Sequence, residues 1–175
     1  VFAGLQPAIA DEQGQWQHGV STFDEFRYGP DFEHFDYANP DAPKGGTLVL
    51  PTSWDFTTFT PFQALGLPAI GAAAPGMLYD GLFVRANDEA FSIYGNLAAR
   101  VKFADDLSEV VVQLRPEAYW HDGVPITAKD VKFTFDHVLK NSASSIRAAL
   151  SIIESVEILG ERQVLFRFKR IGGLS

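Results

Sequence analysis

Residues 120 to 133 read WHDGVPITAKDVKF, and this stretch restricts the fold more than any other in the chain. Asp122-Gly123 favours a tight turn, because aspartate bonds its own backbone two residues on and glycine accepts a positive φ. A proline follows, and then Thr127, a residue type well suited to cap a helix N-terminus. Asp130 sits three places on, close to a capping-box arrangement and at the positive end of a helix dipole. Val131, Phe135, Val138 and Leu139 recur on one apolar face, which predicts a helix over 128–140. The cluster of charged and imidazole groups in this stretch is therefore explained first by architecture.

Strand patterns flank that helix. Val110, Val112 and Leu114 alternate with Val111 and Gln113, after the turn-forming ADDLSE. Ser155 to Leu159 and Gln163 to Lys169 predict two strands around the turn Gly160-Glu161-Arg162. Val164, Phe166 and Phe168 point one way, and Leu165 and Arg167 the other.

The N-terminal part is less regular. Residues 11–46 lack amphipathic periodicity and predict an extended arm with turns at Gly29-Pro30 and Asn39-Pro40, ending at Gly45-Gly46. Phe23, Phe26, Tyr28, Phe32, Phe35 and Tyr37 are too many aromatics for a disordered arm and would pin it to a globular body. Thr47 to Leu50 predicts a short strand, and PTSWDFTTFTPF a loop. Residues 69–82 suggest a helix starting near Pro75, with Met77, Leu78 and Leu82 along one side and Gly81 near its end.

Composition narrows the functional classes. With 175 residues, 46% hydrophobic and 21% charged, the chain has the make-up of a folded soluble protein. The net charge of −8 argues against nucleic acid and against docking on anionic lipid. The absence of cysteine excludes disulfide scaffolds, thiolate metal sites and cysteine nucleophiles. No apolar run is long enough to span a bilayer. Ala8-Ile9-Ala10 before Asp11 suits signal-peptidase cleavage, so residues 1–10 are expected to be a signal-peptide remnant.

Tests for chemistry give little. The four histidines, His18, His34, His121 and His137, include no pair at i, i+4, so no metal site is expected. Neither a G-x-S-x-G elbow nor an S-x-x-K sequence is present, and no catalytic residue is assigned. Asp105-Asp106 reads as a solvated turn. PKGGT, at 43–47, lacks the order of a phosphate loop and precedes a strand pattern. The aromatic loop is more open. Trp54, Phe56, Phe59 and Phe62 lie among Ser53, Asp55, Thr57, Thr58 and Thr60. Flat apolar walls with a few hydroxyls line small-molecule and peptide clefts. A loop folded over its own aromatics fits the pattern equally well.

The order of these stretches carries a resemblance. KGGTLVL is followed by the loop ending Thr60-Pro61-Phe62, then Leu78-Tyr79-Asp80-Gly81-Leu82 and Asn96-Leu97-Ala98-Ala99. Next come FADDLSEVVVQLRPEAYWHDGVPITAKDVKFTFDHVL and the 155–169 hairpin. This order is similar to the extracellular solute-binding proteins of bacterial ABC importers, family 5, and it covers about residues 18 to 169. The arm sequence DFEHFDYANPDAPKGG resembles one branch, the YejA-like oligopeptide and microcin C binding proteins.

The resemblance implies a mixed α/β (α+β) sheet fold, of which this chain would be the N-terminal part of the first of two lobes. Residues 47–175 would form that partial lobe. It implies export to the periplasm, capture of an oligopeptide or peptide-like ligand, and partnership with permease and ATPase subunits. No enzymatic activity, cofactor, metal, nucleic acid or membrane span is expected, and the full-length protein is expected to be a monomer. The loop after the first strand tends to face the cleft in this family, which points to Ser53, Trp54, Asp55, Phe56 and Thr58 as ligand contacts. The family's acidic residue for a peptide amino terminus has no counterpart assigned here. A metal chelate or sugar as ligand, or a secreted hydrolase using His121 and Asp122, are the alternatives.

Overall fold

The capped helix forms as its sequence predicts. In the computed structural model, which describes residues 14–23, 25–47, 49, 55–60, 62, 66 and 78–169, α1 spans Ala128–Asn141. Asp130 Oδ2 accepts the Thr127 backbone N–H at 2.8 Å and the Thr127 hydroxyl at 2.7 Å. The carboxylate thus satisfies the donors at the helix entrance and faces the positive end of the dipole. Just upstream, Tyr119 and Pro125 form an antiparallel bridge. Within it Trp120 N–H donates to the Val124 carbonyl at 2.8 Å. Gly123 turns the corner with φ +85°, and Asp122 Oδ1 accepts the Val124 N–H at 3.0 Å. Asp122 therefore acts on its own turn.

Four strands make the larger sheet: β4 (Ala98–Phe103), β5 (Glu109–Leu114), β6 (Ile153–Gly160) and β7 (Gln163–Phe168). Their order is β4-β5-β7-β6, all antiparallel. The register sets Val110 opposite Phe166 and Val112 opposite Val164, so the alternation seen in sequence becomes one continuous apolar face. Val101, Val110, Val112, Val156, Val164 and Phe166 are buried there. Helix α1 adds Val131 and Phe135 to that core, and the Phe135 ring meets Phe166 edge-on at 4.9 Å. Fully burying one such side chain is worth about 1.5–3 kcal/mol. The opposite face is polar: Arg167 pairs with both Glu109 and Glu157, and Gln163 Nε2 donates to Gln113 Oε1 at 2.7 Å.

A second sheet has the order β1-β3-β2. Its strands are β1 (Gly19–Ser21), β2 (Phe83–Arg85) and β3 (Ser92–Gly95). These three- and four-residue strands are too short to show a period in sequence. Tyr28, Ala86 and Tyr94 are buried on this sheet, with Phe26, Phe32 and Phe35 packed around them. Arg115 joins the two sheets. Its Nε donates to the Asn96 carbonyl at 2.7 Å and its Nη2 to the Gly95 carbonyl at 3.3 Å.

Three local features differ from expectation. The helix proposed over 69–82 does not include Leu78–Leu82; residues 67–77 lie outside the described residues. The reason is hydrogen bonding: the Leu82 carbonyl accepts Asn96 and Ala98 N–H at 2.9 and 3.0 Å, and Gly81 accepts Leu97. Those carbonyls are committed across the chain rather than along a helix. Of the strand expected at Thr47 to Leu50, Thr47 and Val49 belong to no strand, and Leu48 and Leu50 lie outside the described residues. A short helix, α2 (Ser144–Ala149), follows α1 and was not signalled.

Candidate ligand site

The loop singled out in the sequence is only partly described. Ser53 and Trp54 lie outside the described residues, whereas Asp55, Phe56 and Thr58 are placed. Thr58 is half-buried, and its Oγ1 accepts the Thr60 N–H at 3.1 Å, which fixes a small turn. Gly66 lies against this turn: a Cβ there would meet Thr57 Oγ1 at 3.0 Å. The two phenylalanines face outward instead. Phe56 is 48% and Phe59 60% exposed, and their rings pack at 5.0 Å, tilted by 53°. Asp55 is exposed beside them. The loop thus presents an apolar platform with a carboxylate next to it. Such a platform can stack on planar or apolar groups while the acid takes a cation or amide.

A cavity of about 790 Å³ lies elsewhere, between α1, the apolar face of the larger sheet and the segment 78–83. Phe103, Val110, Phe166 and Phe168 form its floor, and Val131 and Phe135 its helical wall. Tyr79, Asp80, Tyr119, Trp120 and His121 are its polar or amphipathic lining. Its volume falls in the range of ligand pockets, about 300–1,000 Å³. Asp130 also lines it, but that carboxylate is committed to the helix cap. Among the described residues, Asp80 receives a long contact from Asn96 Nδ2, at 3.5 Å.

Among the described residues, the loop and the cavity meet at Phe62. Phe62 lines the cavity and its ring lies 5.8 Å from that of Tyr79. Asp55, Phe56 and Thr58 do not line it. Asp55, Phe56 and Thr58, the expected contacts among the described residues, therefore stand apart from this cavity. Sequence reasoning singled out neither Tyr79 nor Asp80 as site residues. Their signal was present, since an aromatic and an acid precede Gly81 in a segment whose helical pattern is poor. His121 and Asp122 are exposed and adjacent, and no group of three or more metal-binding side chains occurs among the described residues.

Residues 92–171 match the sequence model of bacterial extracellular solute-binding proteins, family 5 Middle. A protein of Agrobacterium fabrum named "Probable peptide-binding protein YejA" is 38% identical over 166 residues, which are 94% of this chain and 26% of that protein. The "Peptidoglycan-binding protein YepA" of the same organism is 35% identical over 156 residues, 86% of this chain and 25% of that one. The chain thus spans about a quarter of the length of the curated relatives it matches. Among solved structures, the oligopeptide-binding protein AppA of Bacillus subtilis, in complex with a nonapeptide, matches with a TM-score of 0.45 and 32% identity. That match covers 53% of this chain and 18% of AppA. With this order of strands and capped helix in place, the chain is similar to the bacterial extracellular solute-binding proteins of family 5 over residues 92–171, and to a probable peptide-binding protein along 94% of its length.

Proposed function

We propose that the full-length protein is the substrate-binding component of an ABC importer, capturing oligopeptides or peptide-like compounds in the periplasm and delivering them to a membrane permease. Residues 47–175 would be part of its first lobe, residues 11–46 an arm, and residues 1–10 a remnant of the export signal. Capture would follow from closure of two lobes, driven by a ligand that binds the closed form better than the open one.

The observation that carries this reading to a site is the exposed Phe56–Phe59 pair. In a soluble protein, paired exposed rings are a cost unless something covers them. A peptide supplies apolar side chains for the rings, hydroxyl-compatible amides for Ser53 and Thr58, and an ammonium or amide for Asp55. Trp54 would be a further apolar contact for the peptide. The alignment with a named peptide-binding protein over 94% of the chain supports peptide over other solutes.

The test is calorimetric titration of the full-length protein with peptides of three to eight residues. Saturable binding that weakens in Phe56→Ala and Phe59→Ala supports the reading. Peptide binding unaffected by both substitutions removes this loop from the site. Binding of nickel–histidine or a sugar in place of any peptide replaces the substrate class.

A further inference from the structure

The turn between β2 and β3 holds the N-terminal arm with two carboxylates. Tyr28 OH donates to Asp88 Oδ2, and Tyr94 OH donates to Glu89 Oε2. The Tyr94 oxygen in turn accepts the Tyr28 N–H at 3.3 Å, and Glu89 Oε1 accepts the Arg27 N–H at 3.4 Å. Arg27 also pairs through its guanidinium with Asp36 at 2.9 Å and Asp88 at 3.5 Å. Tyr94 is fully buried, with Phe26, Phe32 and Phe35 rings 5.2–5.8 Å from its own. The described hydrogen bonds of residues 25–37 run within the segment, to this turn, to β3 and to His18. None of them reaches the four-stranded sheet.

We propose that residues 25–37 are a strap latched by the Asp88 and Glu89 carboxylates, and that protonation of Glu89 releases the strap while the four-stranded sheet stays closed. Protonating Glu89 turns an acceptor oxygen into a donor, so the Tyr94 hydroxyl and Arg27 N–H face a group that can no longer accept both as an anion. The other titratable or charged groups around the latch are Asp36 and Tyr28 on the strap, and Tyr94 on β3. His18 beside β1 faces it too, with its Nε2 2.8 Å from the Tyr28 carbonyl.

The direction of titration agrees with the geometry. Burial pushes the Glu89 carboxyl up. Hydrogen bonds from the Ser92 and Tyr94 side chains and the Arg27 backbone outweigh it and hold the group below its ordinary value. A depressed carboxyl stabilises the native form above the unfolded value of about 4.3 and loses that contribution as pH falls through the folded value. Burial, followed by the bonds to Asp88 and Glu89, pushes the Tyr28 and Tyr94 phenols up, so both remain donors at neutral pH.

Hydrogen exchange on the full chain, stepped from pH 7 to pH 3 and corrected for intrinsic rates, tests the latch. Protection of 25–37 should fall at least tenfold before that of 109–114 and 163–168 changes. Glu89→Gln should loosen the strap at pH 7 and flatten its acid response, and Asp88→Asn should do so to a smaller degree. Simultaneous loss of protection in strap and sheet overturns the proposal. So does a Glu89→Gln or Asp88→Asn profile that tracks the wild type. If Glu89→Gln does not fold, the Asp88→Asn profile and the wild-type order of opening decide.

Discussion

At Gly95 a Cβ would run into the Ala98 carbonyl oxygen and crowd that of His18 at 3.3 Å. Backbone does not yield as a flexible side chain does, so Gly95→Ala should cost about 1–3 kcal/mol in urea denaturation. Gly123 has open space around it but a φ of +85°. Its replacement by alanine should cost about 1–2 kcal/mol through backbone strain alone. The sequence announces Gly123, because it sits in Asp-Gly before a capped helix. It cannot announce Gly95, whose constraint comes from the Ala98 carbonyl at the start of β4. The exposed rings behave differently from both glycines. Phe56→Ala should leave stability within about 0.5 kcal/mol, yet weaken peptide affinity by up to about tenfold, the worth of an aromatic contact. The proposed contacts were visible as a mixture of residue types. The separate cavity was not, since Phe103 on β4, Asp80 before β2 and Trp120 in the turn before α1 converge only through tertiary packing.

Elements with a strong local signal formed where expected. The helix at Ala128–Asn141 and the hairpin strands at Ile153–Gly160 and Gln163–Phe168 each follow from a period long enough to count. The three strands of the smaller sheet are held by partners distant in sequence, Gly19 with Tyr94 and Phe83 with Gly95, so local pattern carries no trace of them. The absence of helix at Leu78–Leu82, the described end of the one expected over 69–82, has the same origin: the Gly81 and Leu82 carbonyls are captured by residues 96–98. Two substitutions test the element-scale account. Asp130→Ala removes the acceptor at the entrance of α1 and should cost about 1 kcal/mol, with faster amide exchange in the first helical turn. Phe166→Ala removes the ring between β7 and α1 and should cost about 3–5 kcal/mol, lowering the denaturation midpoint.

The whole molecule combines a sheet with one apolar face under α1, a smaller sheet carrying the aromatic arm, and an exposed aromatic loop. The relatives it matches are about four times its length, so the proposed ligand capture is tested on the full-length protein. In WHDGVPITAKDVKF the two acids serve structure, Asp122 its own turn and Asp130 the helix cap, while Trp120 and His121 line the cavity beside α1. The central claim is that the captured solute is a peptide. The most direct measurement is thermal melting of the full-length protein against an oligopeptide pool, nickel–histidine and a sugar series. A peptide at one hundred times its Kd should stabilise the protein by about 2.7 kcal/mol and raise its Tm, with the other solutes inert. A Tm unmoved by every peptide, but raised by nickel–histidine or a sugar, would contradict the account.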